Sequence, residues 1–283
     1  MPLRSSRGVK SARTIPAPIA LLTDFGYRDH YVGAMKGVIA GIAPEARVID
    51  ITHGVPPQSV IAGAIALAQS RRFFPPKTVF VVVVDPGVGT SRLPIAIDTR
   101  AGARFVGPDN GVLYLAANEA GIRRIVELRA PKYRLTDISS TFHGRDIFAP
   151  AGAWLARGTS ITSLGPTLKD MVKLSIEPPL HRDATLVGRV IYIDSFGNLV
   201  TNIDRAALDS FAASFRVTPL SVTISNGASM EIVQAYGDVP TGAPLALLGS
   251  FGFLEIAIRN GSAASVLGLS DGAPVTVIGP REY

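Results

Sequence analysis

The chain alternates between short runs of β-forming residues and stretches whose apolar residues recur at helical spacing. A run over 19–25 (IALLTDF) is followed by a helical pattern over 30–43, and a run over 46–52 is followed by a second helical pattern over 59–74. A third run, 78–85 (TVFVVVVD), is almost continuously apolar, which is typical of a strand buried on both faces of a parallel sheet. Three strands joined by two helices predict right-handed crossovers and an open, doubly wound sheet.

The pattern changes in the last third of the chain. A short helix near 113–120 and a longer one over about 145–157 are followed, after residue 182, by short β-like pieces separated by Gly, Asn, Asp and Pro. We therefore predict an α/β domain with a mostly parallel, Rossmann-like sheet over 17–182, and a small all-β domain, barrel-like or sandwich-like, over 183–283.

Composition and charge narrow the class of protein. With 283 residues, 47% of them hydrophobic, the chain can bury a sizeable core. The net charge of +6 suggests nucleic acid at first, but four of the 28 basic residues lie in residues 1–13, and the remaining 24 face 22 acidic ones. We predict no nucleic-acid partner for the body of the chain and a disordered basic leader over 1–16, the alternative being a nucleic-acid or targeting arm.

The chain has no cysteine, so disulfides, thiolate nucleophiles and cysteine-bound zinc are excluded, which fits a reducing compartment. Its apolar runs are far shorter than the roughly 18 residues that cross a bilayer, and no segment has the order of a signal peptide. We expect a cytoplasmic protein without a membrane partner.

The third strand ends in an unusual loop, DPGVGTSR, which begins at Asp85 and ends at Arg92. Gly-X-Gly at a strand end can bind phosphate, but such a turn must open a helix, whereas LPIAIDT follows here and predicts another strand. Two interpretations of the loop remain. It is either a plain tight turn or a loop that presents Asp85 and Arg92 to a pocket. A carboxylate at the exit of a buried strand needs a partner, and Arg92 is near in sequence.

Two further candidate residues lie at a strand end, for Asp24, and in a turn just before a predicted helix, for His143. Asp24 could accept hydrogen bonds from a ribose diol, or it could cap the next helix or turn. His143, in STFHGRDIFAP, could point into a cleft, although an ordinary surface or structural role is the alternative. The chain lacks H-x-x-x-H and H-E-x-x-H, which disfavours a transition-metal site. It has no G-x-S-x-G elbow that leads from a strand into a helix, since GLSDG at 268–272 is followed by another β-like piece, and this disfavours a serine hydrolase.

One segment of the all-β region combines three ligand-binding side chain types. Asp194, Phe196 and Asn198 supply a carboxylate, an aromatic face and an amide within five residues. Such a set suits a zwitterionic, aromatic ligand, and the alternative is a β-turn with glycine at its tip.

Six motifs taken together resemble those of one family. LLTDFG, DPGVGTSR, GPDNG, TFHGRD, DSFGNLVTNI and GSFGFLEIAIRNGSAA occur in the order found in the S-adenosyl-L-methionine (SAM) hydroxide adenosyltransferases, from about residue 18 to the C-terminus. These adenosine-forming SAM hydrolases are relatives of the SAM-dependent fluorinase and chlorinase. The resemblance implies an α/β domain, a C-terminal β-barrel, and a homotrimer with active sites between the N-terminal domain of one subunit and the C-terminal domain of the next.

The resemblance also implies roles for particular residues. It places catalysis on Asp85, Arg92 and His143. The halogenating relatives carry a tyrosine at the first of these positions and a small hydroxyl residue after their TFY, where this chain has Asp85 and Gly144, so water is favoured over halide. The implied substrate-binding residues are Asp24 for the ribose, Asp29, Asp194, Phe196, Asn198, Tyr236 as a stacking face for adenine, Ser250 for the methionine carboxylate, Phe251, where those relatives have arginine, and Arg259.

The implied reaction is attack of water or hydroxide on C5′ of the ribose, which releases adenosine and L-methionine. SAM would be the substrate, and neither a cofactor nor a metal is expected. The alternatives are a SAM-dependent halogenase of the same fold and a SAM- or adenosine-binding protein without catalysis.

Overall fold

The chain folds into two compact units, which are described here from a computed structural model covering residues 15–215, 220–225 and 227–279. The basic residues of the predicted leader, at positions 4–13, lie outside the described residues. The units divide between Leu174 and Ser175. The sequence places this boundary a few residues later, near 182.

The first unit is an α/β layer structure around one seven-stranded sheet. Its strands are β1 Ile19–Thr23, β2 Val48–Thr52, β3 Val79–Val83, β4 Pro94–Thr99, β5 Arg104–Pro108, β6 Ile122–Glu127 and β7 Thr167–Leu168, and its α-helices are α1 Tyr31–Ile42, α2 Val60–Arg71, α3 Tyr114–Glu119 and α4 Ala149–Ala156. The strand order is β2-β1-β3-β5-β4-β6-β7. The first four of these strands are parallel, whereas β4 runs antiparallel to both of its neighbours. The predicted mostly parallel α/β sheet is confirmed.

Strand β3 lies in the middle of this sheet, and all five of its residues are buried. It pairs with β1 on one side and β5 on the other, and α4 packs on it so closely that a Cβ at Gly152 would lie 2.4 Å from Val81 Cγ2. The apolar run is therefore covered on its faces and paired along both edges, which is why it contains no polar residue before Asp85.

The predicted helix over 145–157 differs in detail. It opens with a π-helical turn, Gly144–Phe148, and becomes α-helical only at Ala149. Such turns are rare and often occur at functional sites. This one carries His143 at its start.

The second unit is a β-barrel. Its strands are β8 Leu180–Arg182, β9 Thr185–Ile193, β10 Leu199–Asp204, β11 Ser221–Ile224, β12 Ser229–Val233, β13 Pro244–Leu248, β14 Phe253–Ile258 and β15 Pro274–Ile278. Seven of them follow one another in the order β10-β14-β13-β12-β11-β15-β9, and β9 pairs with β10 to close the circle, while β8 pairs outside the barrel on β9. A barrel-like domain is confirmed.

Two helices in this unit were not predicted, α5 Arg205–Ala212 and α6 Ala263–Leu267. Helix α5 begins at Asp204, whose side chain accepts a hydrogen bond from the Ala207 N–H at 2.8 Å, and it buries Leu208 and Phe211 against the barrel. Its eight residues give too short a periodic pattern to stand out among the surrounding strands. Across the described part of the chain, no helix has the length and apolarity needed to cross a membrane.

Candidate active site

The loop after β3 brings Asp85 and Arg92 together. The Arg92 guanidinium donates from Nε to Asp85 Oδ1 at 3.0 Å and from Nη2 to Oδ2, so the pair is bidentate. Both side chains are nearly buried, with 6% of Arg92 and 5% of Asp85 exposed. The loop thus holds an ion pair at the carboxyl end of the central strand.

His143 contacts this pair through Arg92. Its Nδ1 lies 3.0 Å from Arg92 Nη2, and since a guanidinium can only donate, Nδ1 accepts and the proton of the neutral ring is on Nε2. The Phe148 ring lies 5.4 Å from the Arg92 guanidinium carbon. The structure therefore adds to this pair a histidine 51 positions away, which sequence spacing could not connect to it.

A glycine lets the two loops meet. Gly89 has a φ of +77°, and a Cβ there would lie 2.6 Å from the carbonyl oxygen of Ser140, just before His143. Any larger residue would force these loops apart.

Burial shifts the acidities of both titratable groups. Desolvation raises the pKa of Asp85 above its ordinary 3.8, although the Arg92 charge opposes the rise. Burial, helped by the same charge, lowers the pKa of His143 below 6.5. His143 is therefore neutral at pH 7, and Asp85 is a stronger base than a solvated carboxylate. Arg92 Nη1 is buried and has no acceptor among the described residues.

These groups open onto a cavity of about 300 Å³. It is lined by Asp24, Phe25, Pro57, Gln58, Val83, Asp85, Pro86, Val88, Thr141, Phe142, His143 and Gly144. Both Asp85 and His143 reach its surface. The cavity has the size and the mixed polar and apolar wall of a small-molecule site.

Asp24 also lines this cavity. Its Oδ2 accepts a hydrogen bond from the Gln58 N–H at 2.8 Å, and Gln58 holds a positive φ of 65°. Asp24 therefore does not cap α1, whose N-cap is His30, but ties the end of β1 to the loop before α2. Asp29 lies in the exposed bend before α1 and does not line this cavity.

The second unit has a separate pocket of about 480 Å³, lined by Phe196, Asn198, Tyr236, Ile258, Asn260 and Gly261. Asp194 builds the turn beside it. Its Oδ1 accepts from the N–H groups of Phe196 and Asn198, each at 2.9 Å, and its Oδ2 accepts from Asn198 Nδ2 at 3.0 Å. The turn leaves Phe196 78% exposed at the pocket.

Tyr236 is held by a buried carboxyl. Its hydroxyl donates to Glu255 Oε2 at 3.2 Å. Burial and the Glu255 charge raise the pKa of Tyr236 to about 12, and burial raises the pKa of Glu255 itself.

The other predicted residues of this unit do not line the pocket. Arg259 donates from Nη1 to the carbonyl oxygens of Gly237 and Val239, at 3.2 and 2.6 Å, and so fixes the Tyr236 loop. Ser250 and Phe251 lie exposed in the turn between β13 and β14 and do not line it.

Comparison with known families identifies the chain. The model of the SAM hydroxide adenosyltransferase N-terminal domain matches residues 19–165, and that of the C-terminal domain matches residues 188–276. The chain belongs to the SAM hydroxide adenosyltransferase family. The resemblance drawn from the motifs is thus confirmed.

The chain is similar in sequence to other proteins over nearly its whole length. It is 38% identical to the (R)-S-adenosyl-L-methionine hydrolase of Thermus thermophilus over 92% of this chain and 99% of that one. The fluorinase of Nocardia brasiliensis is more distant, at 30% identity over 92% of this chain and 96% of its own. A crystal structure from Thermotoga maritima, described as an uncharacterized conserved protein, is 39% identical, with a TM-score of 0.83 over 92% of this chain and 99% of that one.

Sequence reasoning missed several cavity residues of this family member, above all Gln58. A glutamine after two prolines carries no signal of its own, and its position at the cavity follows from a backbone conformation that few non-glycine residues adopt. Among the described residues, no group of three or more His, Asp or Glu side chains could hold a metal ion.

Proposed function

We propose that this chain hydrolyses SAM to adenosine and L-methionine by attack of water or hydroxide on C5′ of the ribose. The observation that carries the proposal is the buried Asp85–Arg92–His143 cluster at the wall of the 300 Å³ cavity. Relatives named (R)-S-adenosyl-L-methionine hydrolase, 37 to 39% identical over most of the chain, support it.

The chemistry of the substrate explains why so few groups suffice. The sulfonium of SAM already carries the positive charge, so methionine leaves as a neutral thioether and needs no proton. The protein has to place a water molecule in line with the C5′–S bond and remove its proton.

In this mechanism Asp85 takes up the proton of the water, while His143, whose Nδ1 accepts from Arg92, donates from Nε2 and orients the water. Arg92 fixes Asp85 by its bidentate contact and holds His143 through Nδ1, which leaves the carboxylate with a defined orientation. Proton transfer by a positioned group contributes about 10²- to 10⁴-fold to a rate.

Substrate binding is assigned to both units. Asp24 would accept from the ribose hydroxyls, with Asp29 nearby in sequence. In the second unit Tyr236 would stack on adenine. The adenine and methionine ends would be surrounded by Asp194, Phe196, Asn198, Ser250, Phe251 and Arg259.

We propose that a homotrimer assembles each site from the first unit of one subunit and the second unit of another. The exposed Phe196, Tyr236 and Phe251 rings support this, because 78%, 44% and 45% of them face solvent in the single chain.

Two features favour water over halide as the nucleophile. The identity to hydrolases, 37 to 39%, exceeds the 27 to 30% identity to fluorinases. Asp85 also places a carboxylate at the cavity, which repels a halide ion and accepts a proton from water.

The test is incubation of the purified chain with SAM, followed by chromatography for adenosine and methionine, in buffers with and without chloride or fluoride. We expect adenosine and methionine in equal amounts and no halogenated nucleoside. Asp85→Asn and His143→Ala should each lower turnover at least about 100-fold. The matched controls Asp209→Asn and His181→Ala change exposed residues and should keep it. A halogenated product would identify the chain as a halogenase. Tight binding of SAM without any product would identify it as a binding protein.

A further inference from the structure

A chain of polar side chains, buried at its Thr23 and His53 end, begins next to Asp24 in the sequence. Thr23 Oγ1 lies 2.8 Å from His53 Nδ1, and His53 Nε2 lies 3.2 Å from Asp50 Oδ1. Asp50 Oδ2 accepts from Lys36 Nζ at 2.7 Å and from the Tyr27 hydroxyl at 2.9 Å. Thr23 is 0% exposed and His53 1%.

The directions of these hydrogen bonds follow from the groups. Thr23 Oγ1 accepts from the Phe25 N–H at 3.2 Å and can give its own proton to His53 Nδ1. A carboxylate can only accept, so the proton of the neutral ring belongs on Nε2, facing Asp50. Burial lowers the pKa of His53, which keeps the ring neutral, and the hydrogen bonds from Lys36, His53 and Tyr27 help to lower the pKa of Asp50 and keep it ionised.

Threonine, histidine and aspartate in this order resemble the triad of a hydrolase, but the arrangement cannot act as one. Thr23 is fully buried in β1, so no substrate can reach its hydroxyl. The cluster must act through what it holds in place.

What it holds is the two-residue segment Asp24–Phe25. On one side of the segment, the His53 ring fixes Thr23, and on the other side the His53 carbonyl oxygen accepts from the Gly26 N–H at 2.7 Å. One residue therefore clamps the segment at both ends, and both of its members line the cavity.

We propose that His53, backed by Asp50 and Lys36, is a positioning residue that fixes Asp24 in the orientation needed to bind the ribose of the substrate. This inference rests on the proposed function for the identity of the ligand. It adds a role for a histidine that lies outside the cavity wall and touches no reacting atom.

The test compares Thr23→Val, which keeps the shape and removes the hydroxyl, with Thr23→Ser, which keeps the hydroxyl. We expect Thr23→Val to raise KM for SAM about 3- to 10-fold, the factor for one hydrogen bond, with kcat changed less than about twofold. Thr23→Ser should stay within about twofold of the native KM. Thr99→Val is the matched control, because Thr99 is also buried in this sheet and donates to the Ala103 carbonyl at 2.7 Å, away from the cavity.

A double-mutant cycle separates positioning from general destabilisation. If Thr23 acts through Asp24, then Thr23→Val should have no further effect on KM in an Asp24→Asn background. An equal rise of KM in both backgrounds, or an unchanged KM in Thr23→Val, would overturn the proposal.

A spectroscopic readout makes the inference independent of turnover. In ¹⁵N NMR spectra of the native chain, we expect the single ring proton of His53 on Nε2, and Thr23→Val should shift the amide signals of Asp24, Phe25 and Gly26 while Thr99→Val leaves them in place. A proton on Nδ1, or unshifted amides in Thr23→Val, contradicts the positioning role. If the native chain leaves SAM intact, the proposed function fails, and these spectra still decide the positioning of Asp24.

Discussion

Replacing Arg92 by methionine tests whether Asp85 and Arg92 act as one buried unit. Methionine keeps much of the side-chain volume but removes both hydrogen bonds to Asp85 and the one to His143. Because only 5% of the Asp85 side chain is exposed, its carboxylate would be left largely desolvated and without an opposite charge. Removing one partner of a buried ion pair costs about 3 to 5 kcal/mol.

The expected loss of stability in Arg92→Met depends on the pH of the measurement. Without Arg92, the pKa of Asp85, already raised by burial, rises further, since the opposing charge is gone. At pH 8 the variant must either bury an unpaired charge or bind a proton from dilute solution, whereas at pH 5 the proton is readily taken up. We expect the full loss of about 3 to 5 kcal/mol at pH 8 and a smaller loss at pH 5.

The assay is urea denaturation of the native chain, Arg92→Met, Asp85→Asn and the double variant at both pH values. In the Asp85→Asn background no carboxylate is stranded, so Arg92→Met should cost at least about 1 kcal/mol less there. Arg189→Met is the control, because Arg189 pairs with Glu177, their side chains are 48% and 71% exposed, and such pairs contribute less than about 1 kcal/mol. Equal costs for Arg92→Met in the two backgrounds would refute the reasoning.

Three further outcomes are expected. Turnover should fall on acidification, with the step due to Asp85 above pH 3.8, because burial raises its pKa, and the step due to His143 below pH 6.5, because burial lowers its pKa; an acid limb of kcat that lies entirely below pH 3.8 would contradict this. By calorimetry, Tyr236→Phe should bind adenosine within about threefold of the native chain, since the ring remains, whereas Tyr236→Leu should bind about tenfold more weakly; equal affinities would argue against stacking. Gly152→Ala should lower the free energy of unfolding by about 1 to 3 kcal/mol, because its Cβ would lie 2.4 Å from Val81 Cγ2, and an unchanged denaturation midpoint would show that α4 moves away freely.

The sequence by itself determined the strands and helices whose formation depends on residues close together in the chain. The valine run of β3, the alternation of strands and helices up to residue 74, and the change to short strands in the last third all follow from local periodicity, and each is present in the fold. The contact between Asp85 and Arg92 could also be predicted from the sequence, because a Pro-Gly turn can bring together two residues that are seven positions apart. The motif order further identified the family, which spacing alone did not.

Only the tertiary structure decided which distant side chains meet. His143 reaches Arg92 across 51 positions, Asp24 binds Gln58 across 34, and Thr23 meets His53 across 30. These contacts depend on the strand order, on the register of β1 with β2 and β3, and on a positive φ at one glutamine, none of which leaves a periodic trace in the sequence. The type of a side chain and its period in the sequence are local properties, whereas its partner is set by how the whole sheet is assembled. For that reason these contacts between distant side chains, unlike the strands that carry them, are seen only in the three-dimensional structure.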